Sequence, residues 1–296
     1  MKVSVVTPSF NQGRFIGRTL ASVASQNGVT FEHWVFDGGS TDETVDVLRA
    51  SGEAVRWTSQ KDGGQADAVN KGIATSDGDI IAWLNSDDIY YAGALARVVA
   101  FFEQHPDVDV VYGDADHVDE ADLAFEAYPT EPWNPDRLLQ TCYLCQPAVF
   151  FRRRVVERFG LLDADLHYCM DYEYWLRLAA GGAQFAYLPH KLAGSRLYAQ
   201  NKTLGSTIKV HREINDMMHR KFGRVPDAWL YNYAYVRTRQ RVDPFSRPRS
   251  FIRESSVRAV VAAIQWNGYP SRALLHRLFP NWVGPAKSAP PGNPAK

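Results

Sequence analysis

The sequence predicts an α/β protein with a mostly parallel central sheet flanked by helices. Four short runs rich in β-branched and apolar residues, at 3–7, 31–36, 55–58 and 79–84, alternate with segments of helical spacing. The first and last, Val3-Ser4-Val5-Val6-Thr7 and Ile80-Ile81-Ala82-Trp83-Leu84, read as parallel strands buried on both faces. With 296 residues, 45% of them hydrophobic and 12% aromatic, a sizeable core is available.

Each element has a local cause. Pro8 ends the first strand, and Phe15, Ile16, Leu20 and Val23 then fall at helical spacing. Asp37-Gly38-Gly39-Ser40 stops the second strand, and Thr41 is placed to cap a helix holding Val45 and Leu48. Asp62-Gly63-Gly64-Gln65 precedes a short helix through Lys71. The fourth strand runs out into Asn85-Ser86-Asp87-Asp88. A helix at 93–104 follows, with Leu95, Val98, Val99 and Phe102 as its core stripe. Residues 108–114 read as a strand with Asp114 at its acidic exit, and Asp116, His117, Asp119, Glu120 and Asp122 as a solvated loop. Two more strands are expected at 184–188 and 192–198, and a helix at 204–222.

Charge divides the chain. From residue 236 onward nine Arg and two Lys face only Asp243 and Glu254, so this part carries +9 and the remainder −9. A basic tail on an acidic body points to an anionic partner surface. Trp229, Tyr231, Tyr233 and Tyr235 open this region, and 251–266 and 271–279 read as amphipathic helices. Basic helices with aromatic residues fit an anionic membrane surface; packing on a partner or in a homo-oligomer is the alternative. No nucleic-acid motif accompanies the charge. Residues 286–296 read as a disordered tail.

Three cysteines make no disulfide framework, and no apolar run reaches membrane-spanning length. A cytoplasmic protein, peripheral on the cytoplasmic face of the membrane, is expected. Cys142-Tyr143-Leu144-Cys145 lacks the further ligands of a zinc site and the context of a redox motif. Thr7-Pro8-Ser9-Phe10-Asn11-Gln12-Gly13 has a single Gly, so the dinucleotide-binding fingerprint is absent, as is a P-loop.

Two carboxylates at a strand exit need a cationic partner if buried. Ligands of open α/β sheets gather at that end, and hard oxygens there suit Mg²⁺ or Mn²⁺. In order, Val5-Val6-Thr7-Pro8-Ser9-Phe10-Asn11, Asp37-Gly38-Gly39-Ser40-Thr41-Asp42, Asp67-Ala68-Val69-Asn70-Lys71-Gly72 and Asn85-Ser86-Asp87-Asp88 resemble the serial motifs of family 2 glycosyltransferases. The resemblance covers roughly the first 200 residues. It implies the GT-A fold, with a Rossmann-like sheet, and an inverting transferase using a nucleoside-diphosphate sugar and a divalent metal.

The resemblance also implies roles. Asp88 contacts the metal, and Asp87 and Ser86 lie on the donor beside it. Pro8, Phe10 and Asp37 form the nucleobase pocket, Asp37 accepting the imide N–H of uracil or thymine, which favours UDP or dTDP, and Thr7 belongs to the donor site. Asp67, Asn70 and Lys71 belong to the donor site, although Asp67 and Lys71 stand at i and i+4 and can pair. Asp171, in Met170-Asp171-Tyr172-Glu173-Tyr174-Trp175, is the catalytic base, with Glu173 as fallback about 200° round the helix. Gln146, Asp114 and Trp175 border the acceptor. Tyr198 stands where the family often has a metal-binding His, and Arg196 or Lys202 is a candidate for holding the diphosphate. The acceptor is expected to be a glycan or glycolipid of the cell envelope. The expected organisation is a catalytic domain at 1–222, its nucleotide-sugar half at about 1–115 and its acceptor half at about 116–222, and a basic helical extension at 223–285. Two competing readings are a sugar-phosphate nucleotidyltransferase, which Pro8-Ser9-Phe10 disfavours, and a non-catalytic nucleotide-sugar or glycan-binding module, which retention of both Asp88 and Asp171 disfavours.

Overall fold

The computed structural model describes residues 1–199, 201 and 207–279. Lys202 and the tail at 286–296 therefore lie outside the described residues. The chain divides into two compact units, Met1–Gly205 and Ser206–Lys296.

In the first unit β1 (Lys2–Ser9), β2 (Thr30–Asp37), β3 (Arg56–Ser59) and β4 (Ile80–Trp83) pair in parallel in the order β3-β2-β1-β4. The helices α1 (Gly13–Ala24), α2 (Thr44–Ala50) and α3 (Gln65–Thr75) make the connections, as the alternating pattern predicts. Gly72 lets α3 lie directly on β1, since a Cβ there would come within 2.2 Å of Val6 Cγ1. β5 (Ile89–Tyr90) and α4 (Ala94–Gln104) follow. Leu95, Val98 and Phe102 of α4 pack with Val5, Ile80, Val111 and Phe150 in one core cluster. Ile16, Leu20, Val35 and Leu48 form a second.

The sheet continues through β8 (Val149–Arg152), β6 (Val110–Val118), β9 (Phe185–Arg196) and β5, while β7 (Ala124–Ala127) pairs with β6. Three expectations change here. β6 runs on to Val118, so Asp114 lies inside a strand rather than at its exit. Asp116 is buried, held by the Tyr91 hydroxyl at 3.0 Å and Lys191 at 2.8 Å, so the cluster at 116–122 is not a solvated loop throughout. The two strands expected at 184–188 and 192–198 are one, because the β6–β9 register shifts around Asp114 and Pro189-His190 bulge out of the ladder. The helices α5 (Pro135–Gln140), α6 (Arg153–Phe159) and α7 (Met170–Ala180) complete the unit.

The second unit holds α8 (Thr207–Phe222), α9 (Asp227–Arg239), α10 (Pro248–Asn267) and α11 (Arg272–Leu278). Packing places α8 with these helices, ahead of the boundary expected at residue 222, because Ile214, Met217 and Met218 are buried within a basic, amphipathic helix set. Val225 and Asn267 exchange two hydrogen bonds of 2.9 Å between the start of α9 and the end of α10.

Candidate active site

The chain turns sharply after β4. Leu84 still donates to Val6 O at 3.0 Å, and Asp88 N then returns to Asn85 O at 3.1 Å. Asp88 is only 4% exposed. Its carboxylate accepts the Arg196 backbone N–H at 2.8 Å and Asn85 Nδ2 at 3.1 Å, both neutral donors. Burial, and then the charge of Asp87, push Asp88 up to about 8. Such a carboxylate is stabilised by a cation. Among the described residues no group of three or more His, Cys, Asp or Glu is placed to hold a metal. The carboxylates adjacent in this turn are Asp87 and Asp88. That donor set fits Mg²⁺ or Mn²⁺, which take most remaining ligands from water and phosphate oxygens.

Tyr198 donates to Asp87 Oδ2 at 2.9 Å and accepts from Gln12 Nε2 at 3.2 Å. Burial, and then Asp87, push the phenol up to about 12, so it stays a neutral donor. The residue standing where a His ligand is expected thus orients a carboxylate.

Asn85 is a hub that the sequence reading left unassigned, although it opens the motif. Its Oδ1 accepts from Gln65 at 2.8 Å and Trp83 Nε1 at 2.9 Å, and its Nδ2 reaches Gln146 Oε1 at 2.8 Å as well as Asp88. Gln146 also donates to Trp83 O at 2.7 Å. Gln146 is buried in a 3₁₀ turn, Gln146–Ala148, before β8, so it braces the Asp88 turn rather than bordering the acceptor.

Arg196 is likewise a correction. Its side chain has 0% exposure, and its guanidinium bonds Asp87 O at 2.7 Å, Asp119 O and the Asp122 carboxylate. It cannot touch a diphosphate from solvent; it fastens the loop at 119–122 to the Asp87 turn. Ser86 is buried, with its carbonyl 3.0 Å from the Thr19 hydroxyl. Thr7 is buried against His33 at 2.9 Å, and Pro8 is buried too, so of the expected base pocket only Phe10, at 60% exposure, offers an open face. Asp37 is buried and caps its own turn through Gly39 N, Ser40 N, Ser40 Oγ and Ser59 Oγ. Asp67 and Lys71 form a 2.8 Å pair. Asn70 exchanges two bonds with the Leu162 backbone, 2.9 and 3.0 Å, and so docks the loop before α7 rather than the donor.

Asp171 lies in the first turn of α7, half-buried, and accepts Tyr172 N at 2.7 Å. Glu173 is fully buried and bridged to Arg177 at 2.9 and 3.1 Å, which removes it as a base. Trp175 is a core residue against Phe151 and Tyr174, not an acceptor shelf. Asp114 accepts the Tyr187 hydroxyl at 2.6 Å. Cys142, Cys145 and Cys169 are free thiols. Burial raises Cys145 well above the usual range, and the charges of Asp88 and Asp171 both add to it.

The sequence matches the glycosyl transferase family 2 model over residues 4–160. The chain belongs to glycosyl transferase family 2. The matched stretch includes Asp87 and Asp88 and stops before Asp171. Among curated relatives, a PGL/p-HBAD biosynthesis glycosyltransferase of Mycobacterium bovis (strain BCG / Pasteur 1173P2) is 30% identical over 210 residues, 69% of this chain and 79% of that protein. Among solved structures, Staphylococcus aureus TarS in complex with UDP-GlcNAc superposes with a TM-score of 0.61 at 17% identity, over 93% of this chain and 83% of that one. The mannosyltransferase PcManGT of Pyrobaculum calidifontis, in complex with GDP-Man and Mn²⁺, gives 0.59 at 20% identity, over 93% and 78%. These neighbours establish the GT-A fold. Family membership makes the chain a glycosyltransferase.

Proposed function

We propose that this family 2 enzyme transfers a sugar, with inversion, from a nucleoside-diphosphate sugar, UDP- or dTDP-linked, to a hydroxyl of a glycan or glycolipid in cell-envelope polysaccharide synthesis. The observation that carries the reading is the buried Asp88 at the turn after β4, whose carboxylate meets only neutral donors from Arg196 N and Asn85, in a chain of this family. Asp87 and Asp88 serve the diphosphate side. A divalent ion bound there would supply the charge that offsets the departing diphosphate. Asp171 accepts the proton of the acceptor hydroxyl, whose oxygen then attacks the anomeric carbon opposite the leaving phosphate. Asn85, Gln146, Tyr198 and Arg196 hold the two carboxylates in place. The complexes of TarS with UDP-GlcNAc and of PcManGT with GDP-Man and Mn²⁺ support such a donor and such a metal.

The second unit supports peripheral attachment to the cytoplasmic face of a membrane. α10 exposes Ile252, Val257, Val261 and Ile264 beside Arg253. Among the described residues no helix is long and apolar enough to cross a membrane.

The test is a thermal-shift screen of nucleoside-diphosphate sugars with and without Mn²⁺. Stabilisation by one donor class, dependent on metal, is the expected result. Indifference to every nucleoside-diphosphate sugar, with or without metal, would overturn the reading.

A further inference from the structure

Asp37 does not present a free acceptor. It is 2% exposed, with Gly39 N, Ser40 N and Ser59 Oγ all donating to Oδ2 and Ser40 Oγ to Oδ1, so the carboxylate is turned into its own loop. A different carboxylate stands over the end of β2. A Cβ added at Gly38 would lie 3.2 Å from both Asp62 Oδ1 and Asp62 Oδ2, so the missing side chain makes the room that Asp62 occupies. Asp62 Oδ1 accepts Gly64 N at 2.8 Å, while Oδ2 takes no hydrogen bond from the described residues. Gly38 N donates to Ser9 O at 2.8 Å, which places this carboxylate at the seam between the carboxyl ends of β1 and β2. The residue after Ser9 is Phe10, the exposed aromatic of the seam.

We propose that Asp62, not Asp37, reads the nucleobase of the donor, accepting a ring N–H through Oδ2 while Phe10 stacks on the base. This rests on the nucleoside-diphosphate-sugar reading above and sharpens it. Uracil, thymine and guanine present a ring N–H beside a carbonyl. Cytosine and adenine present a ring nitrogen lone pair there, which a carboxylate repels. A site built around a hydrogen bond rejects a partner lacking the donor more strongly than an apolar pocket can. The two arms, uracil-type and guanine, share the recognised N–H.

The experiment is calorimetry of UDP, GDP, CDP and ADP with Mn²⁺ on the full chain and on Asp62→Asn. With Oδ1 still held by Gly64, the amide NH₂ takes the place of Oδ2. The wild type is expected to bind UDP or GDP best, with the two arms deciding which. Asp62→Asn is expected to weaken that nucleotide at least about tenfold, the size of one hydrogen bond to a charged group, and to narrow the gap to CDP. Gly38→Ala, which pushes the carboxylate aside, is expected to weaken the same nucleotide without moving metal dependence. Unchanged affinity and selectivity in a folded Asp62→Asn overturns the proposal and leaves the donor reading standing. A wild-type preference for CDP or ADP also overturns it. Wild-type indifference to all four nucleotides removes both.

Discussion

Arg196 grips both carboxylate residues of the β4 turn: its backbone N–H donates to Asp88 Oδ1 at 2.8 Å, and its Nε donates to the Asp87 carbonyl at 2.7 Å. One residue of β9 thus fixes a turn that lies 108 positions earlier in the chain. Replacing the fork by the single point donor in Arg196→Lys leaves the Asp122 carboxylate and two carbonyls poorly matched. We expect about 3 kcal/mol of lost stability in urea unfolding, typical of breaking a buried pair. An unchanged midpoint would show that the clamp contributes little.

Asp171→Asn should keep donor binding and lose transfer by at least a hundredfold, the usual size of a general base's contribution. Single-turnover assays beside donor calorimetry check this. Near-normal transfer would remove Asp171 from the role. Glu173→Gln separates the two acids of the helix. It removes the charge partner of Arg177, which keeps its bonds to Phe159 O and Leu161 O, so it should lower stability by about 1–3 kcal/mol while its folded fraction keeps the chemistry.

Tyr198→Phe deletes the hydroxyl that orients Asp87 and unpairs Gln12. Metal-dependent donor affinity should fall several-fold, and stability by about 1 kcal/mol, the net worth of one hydrogen bond. A loss of stability with unchanged Mn²⁺ titration would confine Tyr198 to packing against Phe15.

Acid should destabilise the fold in two stages. His33 is buried beside Thr7, and burial lowers it to about 3. The unfolded chain therefore binds this proton first, near pH 6.5, and stability falls as pH drops from there toward 3, by roughly 1.4 kcal/mol per unit. Burial alone would raise Glu32, but hydrogen bonds from Ser4, the Asp77 backbone and Trp34 outweigh it and hold it at about 2. Its contribution is present above the unfolded value near 4.5 and is lost as pH falls toward 2. Asp88, held up to about 8, opposes this decline, because the folded state keeps its proton as pH falls from 8 toward the unfolded value, so the His33 part is read as the difference between wild type and His33→Gln in urea midpoints measured between pH 8 and 4. That difference should be near zero above pH 6.5 and grow below it.

The first four strands, the absent glycine fingerprint, the Asp88 turn and the Asp171 helix start were all legible in the sequence. Each is a local pattern: strand runs bounded by turn residues, then motifs a few residues long. What each motif residue does was less legible. Thr7, Asp37, Asn70 and Trp175 sit in recognisable motifs, yet their side chains are engaged by His33, by their own turn, by Leu162 and by the core. A motif gives position along the chain, whereas exposure depends on which segments pack above it.

By itself, then, the sequence determined the first four strands and the family, since these depend on neighbours in the chain. Only the tertiary structure decided which polar groups are already satisfied. Arg196 finds Asp122 across 74 positions and Tyr198 finds Asp87 across 111. Asp62 fills the space that Gly38 leaves open. Burying a charge without a partner is costly, so folding recruits partners from wherever the sheet brings them.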